Sequence, residues 1–148
     1  MGMQEAVRLY FKNYVNFQGR SRRAEYWWPA LANLIISWSL SGLAILLGGG
    51  WGAYMSYGLN AIGWVFYGLA MIWSLIIFLP GLSVTVRRLH DREMSGWILL
   101  AFIVGLIIPI INIAVLIGYI YLMATPGTTG PNKYGPDPKT GHDVGVFS

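Results

Sequence analysis

Two long stretches of this 148-residue chain, 26–86 and 94–132, contain no charged residue. A soluble domain carries about 25% charged residues, spread over every element that meets water. Here Lys, Arg, Asp and Glu supply 11% of the chain, against 55% hydrophobic residues, and they fall in three blocks. Uncharged stretches of this length belong in lipid. The chain therefore has room for one membrane domain and no separate catalytic module.

Within the first stretch, residues 27–47 would span about 32 Å as a helix, matching a hydrocarbon core of about 30 Å. Gly48, Gly49, Gly50 and Gly52 then interrupt the pattern, and Trp51, Tyr54 and Tyr57 supply rings suited to the headgroup region. Residues 59–79 form a second crossing of the same length, which Pro80 and Gly81 are expected to close. The third apolar segment, 97–123, would be about 40 Å long if continuous, too long for one perpendicular crossing and too short for two. Pro109 lies at its middle. We expect one tilted or kinked helix there; the rival is a re-entrant pair of half-length helices, in effect four membrane helices, that returns the tail to its starting side. The expected fold is thus an all-α integral membrane protein. A cytoplasmic amphipathic, basic segment (1–25) precedes a membrane helical domain (26–124) with a cytoplasmic loop (80–96), and a Gly/Pro-rich tail (125–148) follows.

Five of the ten basic residues precede Glu25, three lie in 87–92, and none lies in the glycine turn. The positive-inside rule then puts the N-terminus and the 87–92 loop in the cytoplasm. The first apolar segment starts too late and runs too long for a cleaved export signal, so it is expected to be retained. Ahead of it, Met3, Val7, Tyr10, Tyr14 and Phe17 recur at helical spacing. Such a helix either lies in the headgroup plane, with Arg8 and Lys12 toward phosphates, or packs on the membrane bundle.

Small and polar residues mark one face of each crossing. Ala30, Asn33, Ser37, Ser41, Ala44 and Gly48 do so on the first, and Ser56, Asn60, Gly63, Tyr67, Ala70 and Ser74 on the second. In lipid, small residues let backbones approach closely, so the two stripes are expected to meet with Ala44 level with Gly63. Asn33, Asn60 and Asn112 place one amide in each segment. These side chains serve either as interhelical glue or as a polar path through an oligomer.

Three polar constellations flank the segments. Phe17-Gln18-Gly19-Arg20-Ser21-Arg22-Arg23-Ala24-Glu25-Tyr26-Trp27 enters the first crossing. Arg87-Arg88-Leu89-His90-Asp91 is followed by Ser95-Gly96-Trp97. The tail holds Pro126-Gly127, Gly130 and Asn132-Lys133-Tyr134-Gly135-Pro136-Asp137-Pro138. In order and spacing they resemble the bacterial inner-membrane family called domain of unknown function 805, the YhaH type, from Phe17 to about Pro138. That resemblance implies a small bacterial inner-membrane protein and carries over no reaction, substrate or cofactor. Glu93 and Met94 fill the short variable stretch before Ser95.

Arg20, Arg22, Arg23 and Glu25 have an ordinary topological role, with Arg22 and Glu25 spaced to pair on a helix. Arg87, Arg88, His90 and Asp91 are denser than topology requires. They form either a site for a phosphate-bearing headgroup or other anionic ligand, or a structural clasp to Glu25 or Asp137; we favour the clasp, because charges near lipid need partners. His90 could sense pH or act with Asp91 as acid or base, but no nucleophile, metal-spaced ligand set or Walker-type loop accompanies it. The other histidine, His142, lies in the Gly/Pro-rich tail, and the absence of cysteine excludes thiolate chemistry. If the third segment doubles back, the tail joins both arginine motifs in one cap.

The expected function is that of a non-enzymatic membrane protein without cofactor or metal. Its helices pack through small-polar faces and its cap binds anionic membrane lipids or a membrane-protein partner. A homo-oligomer is compatible with this, and nucleic acid is not an expected partner. The competing class is an oligomeric channel or small-solute transporter lined by Asn33, Asn60, Ser37 and Ser41.

Overall fold

The computed structural model describes residues 1–56 and 58–139. Tyr57, His142 and the end of the tail lie outside the described residues. The described elements are α1 (Met3–Lys12), α2 (Arg23–Leu47), α3 (Gly50–Ser56), α4 (Ala61–Asp91), α5 (Ile98–Ile107) and α6 (Asn112–Ala124). They belong to two compact units, one formed by Ala30–Leu79 and the other by Met1–Pro29 with the chain from Pro80 onward. Pro29 and Pro80, each inside a long helix, stand at the edges of these units.

In the Ala30–Leu79 unit the small-residue faces of α2 and α4 touch. A Cβ added to Gly63 would lie 2.6 Å from Gly48 Cα and 2.8 Å from the Ala44 carbonyl, so the backbones meet where side chains larger than hydrogen would not fit. Asn60 caps α4: its Oδ1 accepts the Gly63 N–H at 3.0 Å, and its Nδ2 donates to the Leu47 carbonyl at 3.1 Å. At the other end, Asn33 Oδ1 accepts from Trp73 Nε1 at 2.9 Å and from Ser37 Oγ at 3.0 Å. The glycine-rich stretch holds more than a turn, because α3 forms within it and buries Ala53 beneath Gly49.

In the other unit, two sequence expectations need correction. Pro80 does not close α4, which runs on to Asp91 and absorbs most of the expected 80–96 loop. An interior proline costs a helix about 3 kcal/mol. Burial of Ser83, Val84, Thr85, Arg87, Arg88, Leu89 and Asp91 in the turns beyond Pro80 offsets it. The third apolar segment is not one kinked helix either: α5 and α6 are separate helices packed on each other, with Gly105 against Val115 and the Phe102 ring edge-on to Tyr119 at 5.5 Å. Ile108 is held extended (φ −76°, ψ 121°), as a residue before proline prefers, and Ile110 takes φ +78° to complete the reversal. Here α1 buries Ala6 and Tyr10 and leaves Met3 and Phe11 exposed, with Val15 and Phe17 exposed just beyond its end. Burial, reinforced by Tyr14, pushes the Tyr10 phenol up to about 12.

Candidate functional site

The charged motifs converge in the unit formed by Met1–Pro29 and the chain from Pro80 onward. The α1–α2 connection turns on Asn13, Asn16 and Gly19, whose φ of +87° suits glycine. This brings Ser21 N–H to the Arg87 carbonyl at 3.1 Å and sends Arg20 toward the end of α4. Arg20 Nε and Nη2 approach Asp91 Oδ1 at 3.0 and 2.9 Å. Its Nη1 donates to the Gly130 carbonyl at 2.6 Å, and its Nη2 also donates to the Thr128 carbonyl at 2.6 Å. One guanidinium thus ties the connection, α4 and the tail together.

Arg88 occupies the other oxygen. Its Nη1 donates to Asp91 Oδ2 at 2.5 Å, its Nε to the Met123 carbonyl at 3.1 Å and its Nη2 to the Thr125 carbonyl. Arg23 Nη1 reaches the Ala124 carbonyl, Arg92 Nη1 the Pro126 carbonyl, and Trp27 Nε1 also approaches Met123 O. The last carbonyls of α6 lack helical partners and carry its negative dipole end; three arginines from two motifs meet the carbonyls around that end.

The tail locks onto this frame through its backbone. Thr128 N–H donates to the Asp91 carbonyl at 2.8 Å, and Asn132 Nδ2 donates to the His90 carbonyl at 3.1 Å. Tyr134 stacks on the His90 ring with centroids 4.0 Å apart and planes 3° from parallel. His90 Nδ1 lies 3.0 Å from the Gly19 carbonyl. Burial, assisted by Lys133 and opposed by the Gly19 contact, holds its imidazole below the ordinary 6.5. Asp137 accepts the N–H groups of Gly130 and Lys139 at 2.9 Å each. Against the opposing effect of burial, these bonds, with Arg20 and Lys139, lower its carboxyl.

Arg87 faces a different environment from its neighbour. Its Nη1 lies 3.6 Å from Glu25 Oε2, with both side chains about 95% buried. Its Nε and Nη2 have no hydrogen-bond partner among the described residues. It lines a half-open cleft of about 280 Å³ with Leu9, Lys12, Asn13, Gly19, Arg20 and Glu25.

The structure therefore brings Arg20, Arg88 and Asp91 into one cluster, sets Arg87 against Glu25, and aligns His90 with the tail. Arg22 is half-buried, and Arg23 serves the end of α6. Asp91 holds two arginines rather than His90, and Asp137 meets backbone N–H groups. Of the small-polar residues, Asn33, Ser37, Asn60 and Gly63 are used in packing and capping as described above. Ser74 Oγ donates to the Ala70 carbonyl of its own helix, Ser41 is exposed, and Asn112 starts α6 half-buried. Sequence patterning did not single out Met123, Thr125 or Thr128, because they act mainly through carbonyls that every residue possesses. Gly127 carried a signal only as part of its Pro-Gly motif. A Cβ there would strike the Asp91 carboxylate. Among the described residues, no group of three or more His, Asp or Glu side chains could hold a metal ion.

A family model described as "Protein of unknown function (DUF805)" matches residues 14–136, which include Arg20, the whole Arg87–Asp91 motif and most of the tail cluster. The chain belongs to this family. It is 39% identical over 131 residues to inner membrane protein YhaI of Escherichia coli (strain K12), covering 88% of this chain and 92% of that protein. It is 38% identical over 128 residues to inner membrane protein YhaH of the same strain, covering 86% and 91%. The uncharacterized protein YiiR of that strain is 30% identical over 145 residues, covering 82% and 85%. No solved structure matches the chain significantly. Relatives named as inner membrane proteins, together with two helices long and apolar enough to cross, α2 and α4, identify a DUF805 membrane protein.

Proposed function

We propose that this DUF805 protein is a non-enzymatic inner-membrane protein whose N-terminal segment and tail both face the cytoplasm, where its basic cap binds anionic lipid. The observation that carries this is the outer surface of α1: Arg8 and Lys12 are exposed on the same short helix as Met3 and Phe11, with Val15 and Phe17 just beyond it. Cations interleaved with exposed apolar side chains suit the boundary between phosphates and acyl chains better than either water or a protein interior. Arg20 and Arg88 take no part, since their donors are engaged internally. The α5–α6 pair supports a shared side for both ends, because helices of 10 and 13 residues reach about 15 and 20 Å and neither crosses a core of about 30 Å alone.

Native mass spectrometry of the detergent-solubilised chain in equal phosphatidylglycerol and phosphatidylcholine tests the lipid preference. Phosphatidylglycerol should be retained preferentially, and the double variant Arg8→Gln, Arg22→Gln should lose the preference; equal retention by the unaltered protein overturns the proposal. For orientation, Gln4→Cys and Lys139→Cys should both react with an impermeant maleimide in inverted vesicles and stay protected in intact spheroplasts. The native chain contributes no competing thiol. Labelling from opposite sides would refute the shared cytoplasmic face.

A further inference from the structure

The outer ends of α5 and α6 are both fastened to the charged cap. Just before α5, Gly96 packs so closely on α4 that an added Cβ would lie 2.7 Å from the Val86 side chain and 3.6 Å from His90 Nε2. At the end of α6, the carbonyls of Met123 and Ala124 accept from Arg88 and Arg23. Between these anchors, from 98 to 120, every exposed residue is apolar, and Ile110 at the tip is 93% exposed. A contiguous surface of that kind belongs in hydrocarbon. The reversal itself is short. Helix α5 ends at Ile107, the Val115 N–H already donates to the Ile111 carbonyl at 2.9 Å, and Pro109 between them has no N–H to leave unpaired in lipid.

Helix lengths set the depth of this hairpin. From the headgroups, α5 reaches about 15 Å and α6 about 20 Å, which is the middle of a core of about 30 Å. Helices α2 and α4 are long enough to pass through both leaflets. With both chain ends on one side, the leaflet next to the cap therefore holds four helices and the other leaflet two. At a helix diameter of about 10 Å, the hairpin adds roughly 160 Å² to one leaflet alone. The exposed Met3 and Phe11 of α1, with Val15 and Phe17 after it, enter the same leaflet at headgroup level. The shorter α3, with Trp51, Tyr54 and Met55 exposed, lies between the two crossings and offsets only part of the difference.

We propose that this protein selects membrane by its curvature and concentrates where the bilayer bulges toward the cap. The convex leaflet of a bent bilayer has the larger area, so it takes up the extra helices without compressing its lipids or stretching those opposite. The ligand is a lipid surface of one shape, whatever its headgroups. The proposal rests on the shared side of the two chain ends and deepens that reading, while attraction between Arg8, Lys12 and phosphates is not required for it.

The full chain in giant vesicles of pure phosphatidylcholine, from which a membrane tube is drawn outward, tests the proposal at lateral equilibrium. A dye on Lys139→Cys that an impermeant reductant quenches separates cap-outward from cap-inward copies. Relative to a lipid dye, cap-outward copies should be enriched about twofold in a tube of about 15 nm radius, and cap-inward copies should be depleted from it. Equal density in tube and vesicle, or the same trend in both orientations, overturns the proposal. A second label on Ile110→Cys, an exposed position, reports the depth of the tip. A nitroxide at the end of the lipid acyl chain should quench it most strongly; stronger quenching by a headgroup nitroxide also overturns the proposal. The two readings fail separately. Labelling of Gln4→Cys and Lys139→Cys from opposite sides removes the shared face and the curvature preference together. Labelling from the same side with no enrichment in the tube removes the curvature preference alone.

Discussion

Asp91 and Arg20 lie 71 positions apart in the chain, yet Arg20 Nε donates to Asp91 Oδ1 at 3.0 Å and both side chains are at least 94% buried. Arg88 occupies the second oxygen, so a single carboxylate is shared by two guanidiniums that together also hold carbonyls from the end of α6 and the tail.

Asp91→Asn should therefore destabilise the protein by about 3–5 kcal/mol, because two buried cations lose their only shared carboxylate. Thermal unfolding in detergent followed by tryptophan fluorescence measures it. A change below about 1 kcal/mol would mean that the cluster is solvated rather than buried.

Gly127 should not tolerate a methyl group. Its added Cβ would overlap the Asp91 carboxylate and come within 2.6 Å of the Asp91 carbonyl, which Thr128 holds in place. Gly127→Ala should cost about 1–3 kcal/mol. Gly118→Ala, in the interior of α6 with nothing within 4 Å, should stabilise by up to about 1 kcal/mol. Comparing the two unfolding midpoints separates a steric requirement from general glycine effects.

Gly63→Val should disturb the α2–α4 contact within the Ala30–Leu79 unit. The new side chain would begin 2.6 Å from Gly48 Cα, against backbone that cannot rotate away. The expected loss is about 1–3 kcal/mol or more, while Gly68→Ala on the same helix, with open space around it, should be neutral or mildly stabilising. Equal behaviour of the two variants in thermal unfolding would contradict the close approach.

Acidification should weaken the contact between the tail and α4. Burial keeps His90 below 6.5 in the folded protein, so the unfolded chain takes up the proton first and stability falls as pH drops below 6.5. The loss ends once pH passes the folded value. Lys133 adds to this repulsion of the proton, while Asp91 and Arg88 on the same helix are already paired. His90→Gln should flatten the dependence of the unfolding midpoint between pH 7.5 and 5.5; an unchanged slope would assign the pH response elsewhere.

Charge exclusion from residues 26–86 and 94–132 was sufficient to establish a helical membrane protein, because a bilayer penalises unpaired charge and open backbone wherever they occur. The spacing of Ala44, Gly48 and Gly63 likewise carried the close approach of two helices, since helical periodicity alone puts them on facing stripes. The motif order was enough to suggest the family. The continuation of α4 past Pro80 was not legible, because the local cost of proline is visible in sequence while the burial that offsets it comes from distant residues. The reversal at Pro109 depended in the same way on Gly105 meeting Val115 and on the tail finding partners. The different settings of Arg87 and Arg88 were hidden for a related reason: adjacent identical side chains meet Glu25 in one case and Asp91 with the carbonyls of Met123 and Thr125 in the other. Sequence determines which groups require partners, and tertiary structure decides which of them find one.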